Sequence, residues 1–598
     1  MKVEILMLKS LNKIRFFIFN KKIIKYKYIL FNIINTIMSA LGMTVNLIFF
    51  KFVLDSISYS RNKLPIIKYI FLFILYLFIS SLIKIWINDI YNPKQNLLIQ
   101  KSLQKIMFDK IKTLDISCFS DSEFYNKYVR AMNEIENRFF QIVDTILQLI
   151  TGIFSVLSIG IFISTLKPIY IFFALAMVIN TMIRAYKTNK YKYLLDKENT
   201  KNQRIITYIK RVFYLEQYVM DFKLFPLFNI FTKIYDTTIN NIINIIEKLY
   251  KKIRRIDFLN SIISIIINIA IIYSLCINVI NNTLSVSDFM ILFTSINNMS
   301  SSLSGILSTI PNISIHSLYI DNLMDVLNYQ PKIFEDNSGI KLDDFESISF
   351  KNISFSYVDN SKCILTNISL SINKGMKVAI VGRNGSGKST LIKLLFRLYD
   401  PQCGIAKMNA INYKDININS LRTKFGVMFQ DSNMYSLTIA ENILMESINC
   451  KEQEDLVWDA LRFSGLYEKI KKLDTGINTI LTKEFDNDGI YLSGGEKQLL
   501  FIARAYALKR SILIFDEPSN SLDVFFEHQL FNKLRNIGKD KTVIFITHNL
   551  YSTVDADIIY FLEDGKIIEK GTHNELINLN GKYKDMYEIQ LTRYSALK

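Results

Sequence analysis

Apolar and polar positions divide this 598-residue chain into two unlike parts. In the first, apolar stretches of about 20 residues or more recur, the length needed to cross a hydrocarbon core. The pattern predicts six spans, at about 28–54, 64–91, 137–165, 167–187, 256–281 and 286–312. They come in pairs, joined by short segments at 58–63, at Lys167 and Pro168, and at 281–287. Between the pairs, residues 91–137 and 187–255 are long, charged and helical in pattern. They read as membrane helices continuing into the cytoplasm, each with a short crosswise helix, near 119–125 and near 221–228. Short outer turns and long basic inner loops place both termini in the cytoplasm, with Arg61 and Lys63 as mild exceptions.

Around Leu327 the character changes. A polar linker leads into the alternating run 348–357, a strand with a turn in it. From there strand-like runs alternate with helical ones, the mark of an α/β domain. The expected fold class is therefore a multidomain membrane protein: an all-α, six-helix transmembrane domain followed by an α/β domain. The expected boundaries are an N-terminal arm at 1–27, the transmembrane domain at 28–326, a linker at 327–342 and the α/β domain at 343–598.

Composition supports this division. Half the residues are hydrophobic, aromatics reach 13%, and Gly and Pro number only 20 and 8, which favours long uninterrupted helices. The net charge of +18 suits either nucleic acid or a membrane protein with basic inner loops. Its location decides for the membrane: the charge is dense in the N-terminal arm and between Arg184 and Arg255, both flanking apolar runs. No nucleic-acid partner is expected. Five scattered cysteines give no disulfide framework and no metal-ligand spacing, in keeping with a reducing cytosol. The first apolar segment is too long for a cleavable signal peptide and reads as a membrane span.

Two motifs carry chemistry. From Val378, an apolar strand runs into Gly382, Arg383, Asn384, Gly385, Ser386, Gly387, Lys388, Ser389 and Thr390, a full match to G-x-x-x-x-G-K-[ST]. Glycines let backbone N–H groups curl around phosphates, and the following helix N-terminus adds its positive dipole end. Lys388 is the expected β- and γ-phosphate contact, and Ser389 a Mg²⁺ ligand. Downstream, the apolar strand from Ser511 ends in Asp516 and Glu517. Asp516 is placed for the metal, and Glu517 to polarise an attacking water as general base.

These two motifs specify only a phosphate-loop nucleoside triphosphatase. The run Leu492, Ser493, Gly494, Gly495, Glu496 before the carboxylate strand narrows the reading, because here the chain strongly resembles the ATP-binding-cassette family. The resemblance implies roles at matching positions. Tyr357 would stack on adenine. Gln430 would sense Mg²⁺ and the attacking water. His548 would contact the γ-phosphate, and Asp523 would communicate across a dimer. Ser493, Gly494, Gly495 and Glu496 would act on ATP held by a second chain. The catalytic set is thus Glu517, His548, Gln430 and Lys388; the metal set is Ser389, Gln430 and Asp516; the cofactors are ATP and Mg²⁺. Three departures stand out: Glu-Lys-Gln after the glycines where Gln-Arg-Gln is commoner, Asn520 in place of a small residue, and an unusual segment at 482–489.

One phosphate loop and one signature per chain imply a second half-transporter, with a homodimer favoured and a heterodimer open. Membrane spans ahead of the cassette on one polypeptide resemble exporters in a cell membrane, with the ATPase domain in the cytoplasm. The overall style resembles peptide or bacteriocin and multidrug exporters of Gram-positive bacteria. No leader-cleaving protease domain fits in the short N-terminal arm. The sixth span carries a polar series including Asn297, Asn298 and Ser301, and the third carries Asp144 and Gln148. Such residues line cavities or face neighbouring helices. A path that is polar but poor in charge suits a peptide or amphiphile. The alternatives are a multidrug or lipid exporter, a cassette-gated channel or regulator, and a soluble cassette protein acting on nucleic acid, which the spans disfavour.

Overall fold

A computed structural model describes residues 25–59, 63–333, 339–357, 363–518, 524–535, 537 and 540–595. The described residues form two units, one of 1–112 with 123–329 and one of 113–122 with 330–598.

The first unit is entirely helical among its described residues. Its long elements are α1 (Tyr26–Tyr59), α2 (Lys63–Ile85) and, after a π-helical turn at Trp86–Tyr91, α3 (Asn92–Ile111). The short α4 (Ile116–Ser120), which groups with the second unit, precedes α5 (Ser122–Leu166) and α6 (Tyr170–Tyr214). Then come α7 (Glu216–Leu224), α8 (Leu227–Ile280) and α9 (Val286–Asn328). Helices of 45 to 54 residues far exceed a bilayer's needs, so the charged segments do continue the apolar ones as single rods. Large apolar side chains such as Phe71, Phe78, Ile161, Phe172, Ile266 and Tyr273 point outward along them, a surface suited to lipid.

Among the described residues, five helical segments are long and apolar enough to cross a membrane. The sixth expected span lies in α9, which is long enough, but its Ser and Asn series dilutes the apolar window. The short crosswise helices fall slightly earlier than expected. α4 takes in Phe119 but stops at Ser120, where Asp121 turns the chain, and Tyr125 already belongs to α5. α7 ends at Leu224, and Pro226 separates it from α8, which contains Phe228. Inside the unit, Ile159, Ile163, Tyr170, Ile271, Leu275, Leu292 and Ile296 form a common core from α5, α6, α8 and α9.

The second unit contains two sheets. β1 (Ser347–Phe355), β2 (Leu365–Asn373), β4 (Cys403–Met408) and β5 (Ile411–Asn412) form an antiparallel sheet in the order β2-β1-β4-β5. The turn expected in the first strand is a bulge after Phe350, where Asn352 adopts φ 53°. The larger sheet runs β10-β9-β3-β8-β7-β6. It is built from β3 (Lys377–Gly382), β6 (Phe425–Met428), β7 (Ile512–Asp516), β8 (Thr542–Thr547), β9 (Ile558–Glu563) and β10 (Lys566–Gly571). All its neighbours pair in parallel except β9 with β10. Its inner strands are continuous apolar runs because both faces are covered: every residue of β7 and β8 is buried.

Helices of this unit that matter below are α10 (Lys388–Leu395), α11 (Ile439–Leu444), α12 (Lys451–Ser464) and α13 (Gly494–Ala507). α14 (Val524–Arg535) and α15 (Lys582–Ser595) follow. The ten residues 113–122 group with this unit. Asp115 caps α4 and accepts from the Lys332 amide, while Ser120 Oγ lies 3.4 Å from Tyr399 Oη.

Candidate nucleotide site

Parallel strands release their chain at one edge, so residues following β3, β8, β7 and β6 emerge side by side. The register makes this concrete: Val381 pairs with Thr547, Asp516 with Ile546, and Met428 with Phe515. Four distant segments therefore meet: the glycine loop after β3, Glu517 after β7, His548 after β8 and Gln430 after β6.

The glycine loop turns into α10 through Gly387, whose φ is +103°; a Cβ there would sit 2.6 Å from Leu365 Cδ2. Lys388 opens the helix and is only 7% exposed. Its ammonium donates to the carbonyls of Gly382 (2.8 Å) and Arg383 (3.0 Å). Burial draws the Lys388 pKa down, while Glu517 and Asp516 push it back up. Ser386 is buried, and its hydroxyl has no hydrogen-bond partner among the described residues. Asn384, Gly385, Gly387, Lys388, Ser389, Thr390, Gln430, Asp516 and Glu517 line one cavity of about 370 Å³.

Asp516 is 4% exposed. Burial first, and the neighbouring Glu517 second, push its pKa up to about 6, against the pull of Lys388 and of the Gln430 backbone N–H. Glu517 occupies left-handed backbone at φ 52°, a strained conformation for a non-glycine residue. Two bonds hold it there. Its N–H donates to the Ile546 carbonyl (2.8 Å), and its carbonyl accepts from Gln498 Nε2 (3.0 Å). The strain turns its carboxylate toward β8, where His548 Nδ1 lies 3.2 Å from Glu517 Oε1. The Glu517 side chain is 8% exposed and that of His548 52%. A buried carboxylate thus faces an open imidazole.

Other sequence-predicted residues lie elsewhere. Tyr357 is outside the cavity lining: its hydroxyl is 3.1 Å from Thr390 Oγ1, and Lys393 Nζ lies 5.3 Å above its ring. Ser493, Gly494, Gly495 and Glu496 are also outside it, at the N-terminus of α13. There the Glu496 departure has a local cause. Glu496 completes a capping box with Ser493 (Ser493 N–H to Oε2, 2.9 Å) and pairs with Lys469. Asp523 and Asn520 lie outside the described residues.

In the helical unit, Asn297 Nδ2 bonds the Phe293 carbonyl (3.0 Å) and Ser301 Oγ the Asn298 carbonyl (2.9 Å), bonds internal to α9. Asp144 and Gln148 are exposed on α5. α5 and α9 run together: Thr145 Oγ1 is 3.1 Å from His316 Nε2, and Gly152 packs against Ile306. Asp144 is therefore level with His316, some fifteen residues, or about 22 Å of helix, from Ser301. The structure does not gather the polar residues of the two helices at one level.

Sequence reading missed three participants. Ile364 lines the cavity from just before β2. Gln498 fixes the Glu517 carbonyl, and its place two residues after Glu496 was the available signal. Gln590, on α15, contacts the backbone around His548, and nothing local in the sequence marks it.

Comparisons with known proteins agree with this geometry. The family model described as "ABC transporter" matches residues 365–520. The subtilin transport ATP-binding protein SpaT of Bacillus subtilis is 28% identical over 568 residues, 94% of this chain and 91% of that protein. Other relatives match over a shorter stretch. An ATP-dependent lipid A-core flippase of Coxiella burnetii is 38% identical over 250 residues, 42% of each protein. The human mitochondrial iron-sulfur clusters transporter ABCB7 is 38% identical over 248 residues, 41% of this chain and 32% of that protein. Among solved structures, a bacterial Atm1-family ABC exporter with ATP bound superposes with a TM-score of 0.75 at 20% identity, covering 94% of this chain and 98% of that one. With helices able to cross a membrane several times and a nucleotide-binding edge assembled from four strand ends, the chain is an ABC exporter, a multi-pass membrane domain fused to an ATPase domain that hydrolyses ATP to drive transport.

Proposed function

We propose that this exporter moves a peptide or amphiphile out of the cytoplasm across the cell membrane, working as a pair of identical chains. The observation that carries the ATPase part is the Glu517–His548 contact beside the Lys388 cavity. In this reading Lys388 and the loop amides hold the β- and γ-phosphates of ATP, and Tyr357 meets the adenine from outside the cavity. Glu517 takes up the proton of the attacking water, and His548 contacts the γ-phosphate while keeping Glu517 oriented.

The donors Ser389, Gln430 and Asp516 fit Mg²⁺. They are hard oxygen ligands around a buried carboxyl whose raised pKa marks a need for positive charge. When bound, Mg²⁺ would neutralise charge that builds up on the phosphate oxygens. Ser493, Gly494, Gly495 and Glu496 lie away from the chain's own cavity, which supports their acting on ATP held by the second chain, with Asp523 relaying between the two. Closure of the pair on ATP favours one orientation of the membrane domain, and hydrolysis resets it.

The cargo reading rests on two supports. The similarity to the subtilin transporter runs through the membrane half, and the polar series on α9 is poor in charge. The test is ATP hydrolysis by the purified chain in lipid, wild type beside Glu517→Gln, with and without candidate peptides. Hydrolysis by the chain alone, lost at least about 100-fold in Glu517→Gln and stimulated by one peptide, is expected. Hydrolysis only with another subunit would overturn the identical pair. Stimulation by many unrelated hydrophobic compounds would overturn the peptide cargo.

A further inference from the structure

Once a strand ends, its next residues lose their ladder partners, and their orientation must come from elsewhere. His548 is the first residue after β8, and three separate elements hold its peptide. Behind it, Thr547 Oγ1 accepts from the Asn549 N–H (2.9 Å). To one side, Asn549 Nδ2 donates to Glu527 Oε1 on α14 (3.0 Å). From the other side comes Gln590 on α15. Its Nε2 donates to the His548 carbonyl (2.7 Å), and its Oε1 accepts from the Leu550 N–H (2.9 Å).

The third contact is chemically selective. A carbonyl and the N–H two residues on present an acceptor and a donor side by side, as along a strand edge. A primary amide offers the complementary pair in one plane, and only Asn and Gln carry one. A carboxylate could accept from Leu550 but would confront the His548 carbonyl with another oxygen. The two bonds also fix which way round the Gln590 amide sits.

α15 does not need Gln590 in order to dock. Tyr583 is fully buried with Leu550, Ile559, Phe561 and Leu576, and Met586 and Tyr587 pack against the same cluster. Tyr583 Oη also lies 3.1 Å from Thr553 Oγ1 and 2.8 Å from His573 Nδ1. Anchoring and contact with the His548 segment are thus separate jobs on one helix.

We propose that Gln590 is a positioning residue for ATP hydrolysis: its side-chain amide extends β8 by one step and sets the His548 backbone so that the imidazole meets Glu517. This rests on the reading of Glu517 and His548 as the hydrolytic pair. It assigns to the C-terminal helix a part in the reaction, although α15 contributes nothing to the cavity lining.

The test uses the full chain in lipid, with kcat and KM for ATP measured for wild type, Gln590→Leu, Gln590→Glu, His548→Ala and the double variant His548→Ala/Gln590→Leu. Single-turnover hydrolysis is used where steady-state rates are low. Gln590→Leu keeps the volume and removes both bonds; kcat should fall about tenfold while KM stays within about twofold. Gln590→Glu should fall at least as far. In the His548→Ala background the Leu substitution should cost nothing further, because the residue it positions is gone. Unchanged kcat in Gln590→Leu would overturn the proposal, as would an equal loss with and without His548. So would a rise in KM together with a lowered unfolding temperature, which would mark a structural role. If His548→Ala itself hydrolyses ATP at the wild-type rate, the underlying reading of His548 fails instead, a distinguishable result.

Discussion

Asn442 is completely buried, and its amide is the hub of the chain segment that follows Gln430. Nδ2 donates to the carbonyls of Tyr435 (2.9 Å), Leu437 (3.2 Å) and Thr438 (3.1 Å), while Oδ1 accepts from the Tyr435 N–H (3.0 Å). Arg504 on α13 grips the same segment, with Nε to the Asn442 carbonyl (2.7 Å) and both terminal nitrogens to Asn433 (3.1 Å each). In Asn442→Ala none of the three carbonyls is left without a donor. Those of Tyr435, Leu437 and Thr438 keep the backbone donors Leu437, Leu481 and Asn442. The Tyr435 N–H loses its acceptor, a cost of about 1–3 kcal/mol. The lost amide bonds to carbonyls that are otherwise satisfied and the small void add about 1 kcal/mol more. The expected destabilisation is therefore about 3 kcal/mol. Trp458 packs on the cluster that contains Ile439, Ile443 and Leu444, so its fluorescence reports this region. With Trp86, the only other tryptophan, replaced by Phe, urea unfolding of the full chain in lipid should show the midpoint shift. A loss below about 1 kcal/mol would refute the reasoning, because it would mean that water or Arg504 replaces the amide.

Two further outcomes are expected. Gly387→Ala places a Cβ against Leu365 at φ +103°, so binding of a fluorescent ATP analogue should weaken by at least about tenfold and the unfolding temperature should fall. Burial pushes the Glu496 pKa up, but Lys469 and the Ser493 cap more than offset this and hold it below its usual value. A lowered carboxyl pKa adds stability above the unfolded-state value, and that stability is lost as pH falls through the folded one. In Lys469→Met, acid unfolding should therefore begin at higher pH, with stability at neutral pH changed by less than about 1 kcal/mol, as is usual for a partly exposed pair.

The sequence made much of this legible because two signals were strong. Apolar runs of membrane length need no tertiary information, and a glycine loop between an apolar strand and a helix has few other uses. Failures came where tertiary contact decides. α9 runs on as one helix to Asn328, beyond the span expected at 286–312, and apolar content alone did not record this, because a polar surface does not end a helix; only caps and breakers do. α4 stops at Ser120 because Asp115 caps its start and Asp121 turns its end, and apolar content does not record either. Gln430, expected to act through its side chain, also bonds Asp516 through its backbone N–H, which no side-chain motif encodes. Gln590 lies over forty residues from His548 and meets it only because α15 folds back over the sheet.

The grouping of residues 113–122 with the second unit makes that unit discontinuous along the chain. These ten residues leave the ribosome some two hundred residues before Gln330, where the rest of their unit begins. During synthesis α4 is thus an orphan, with Ser120 exposed until Tyr399 has been made. A fragment cut at residue 343 to give a free-standing ATPase domain would lack this piece altogether. Supplying 113–122 as a separate peptide, or tethering it to the fragment's start, would restore a patch that no contiguous fragment beginning after residue 122 can contain.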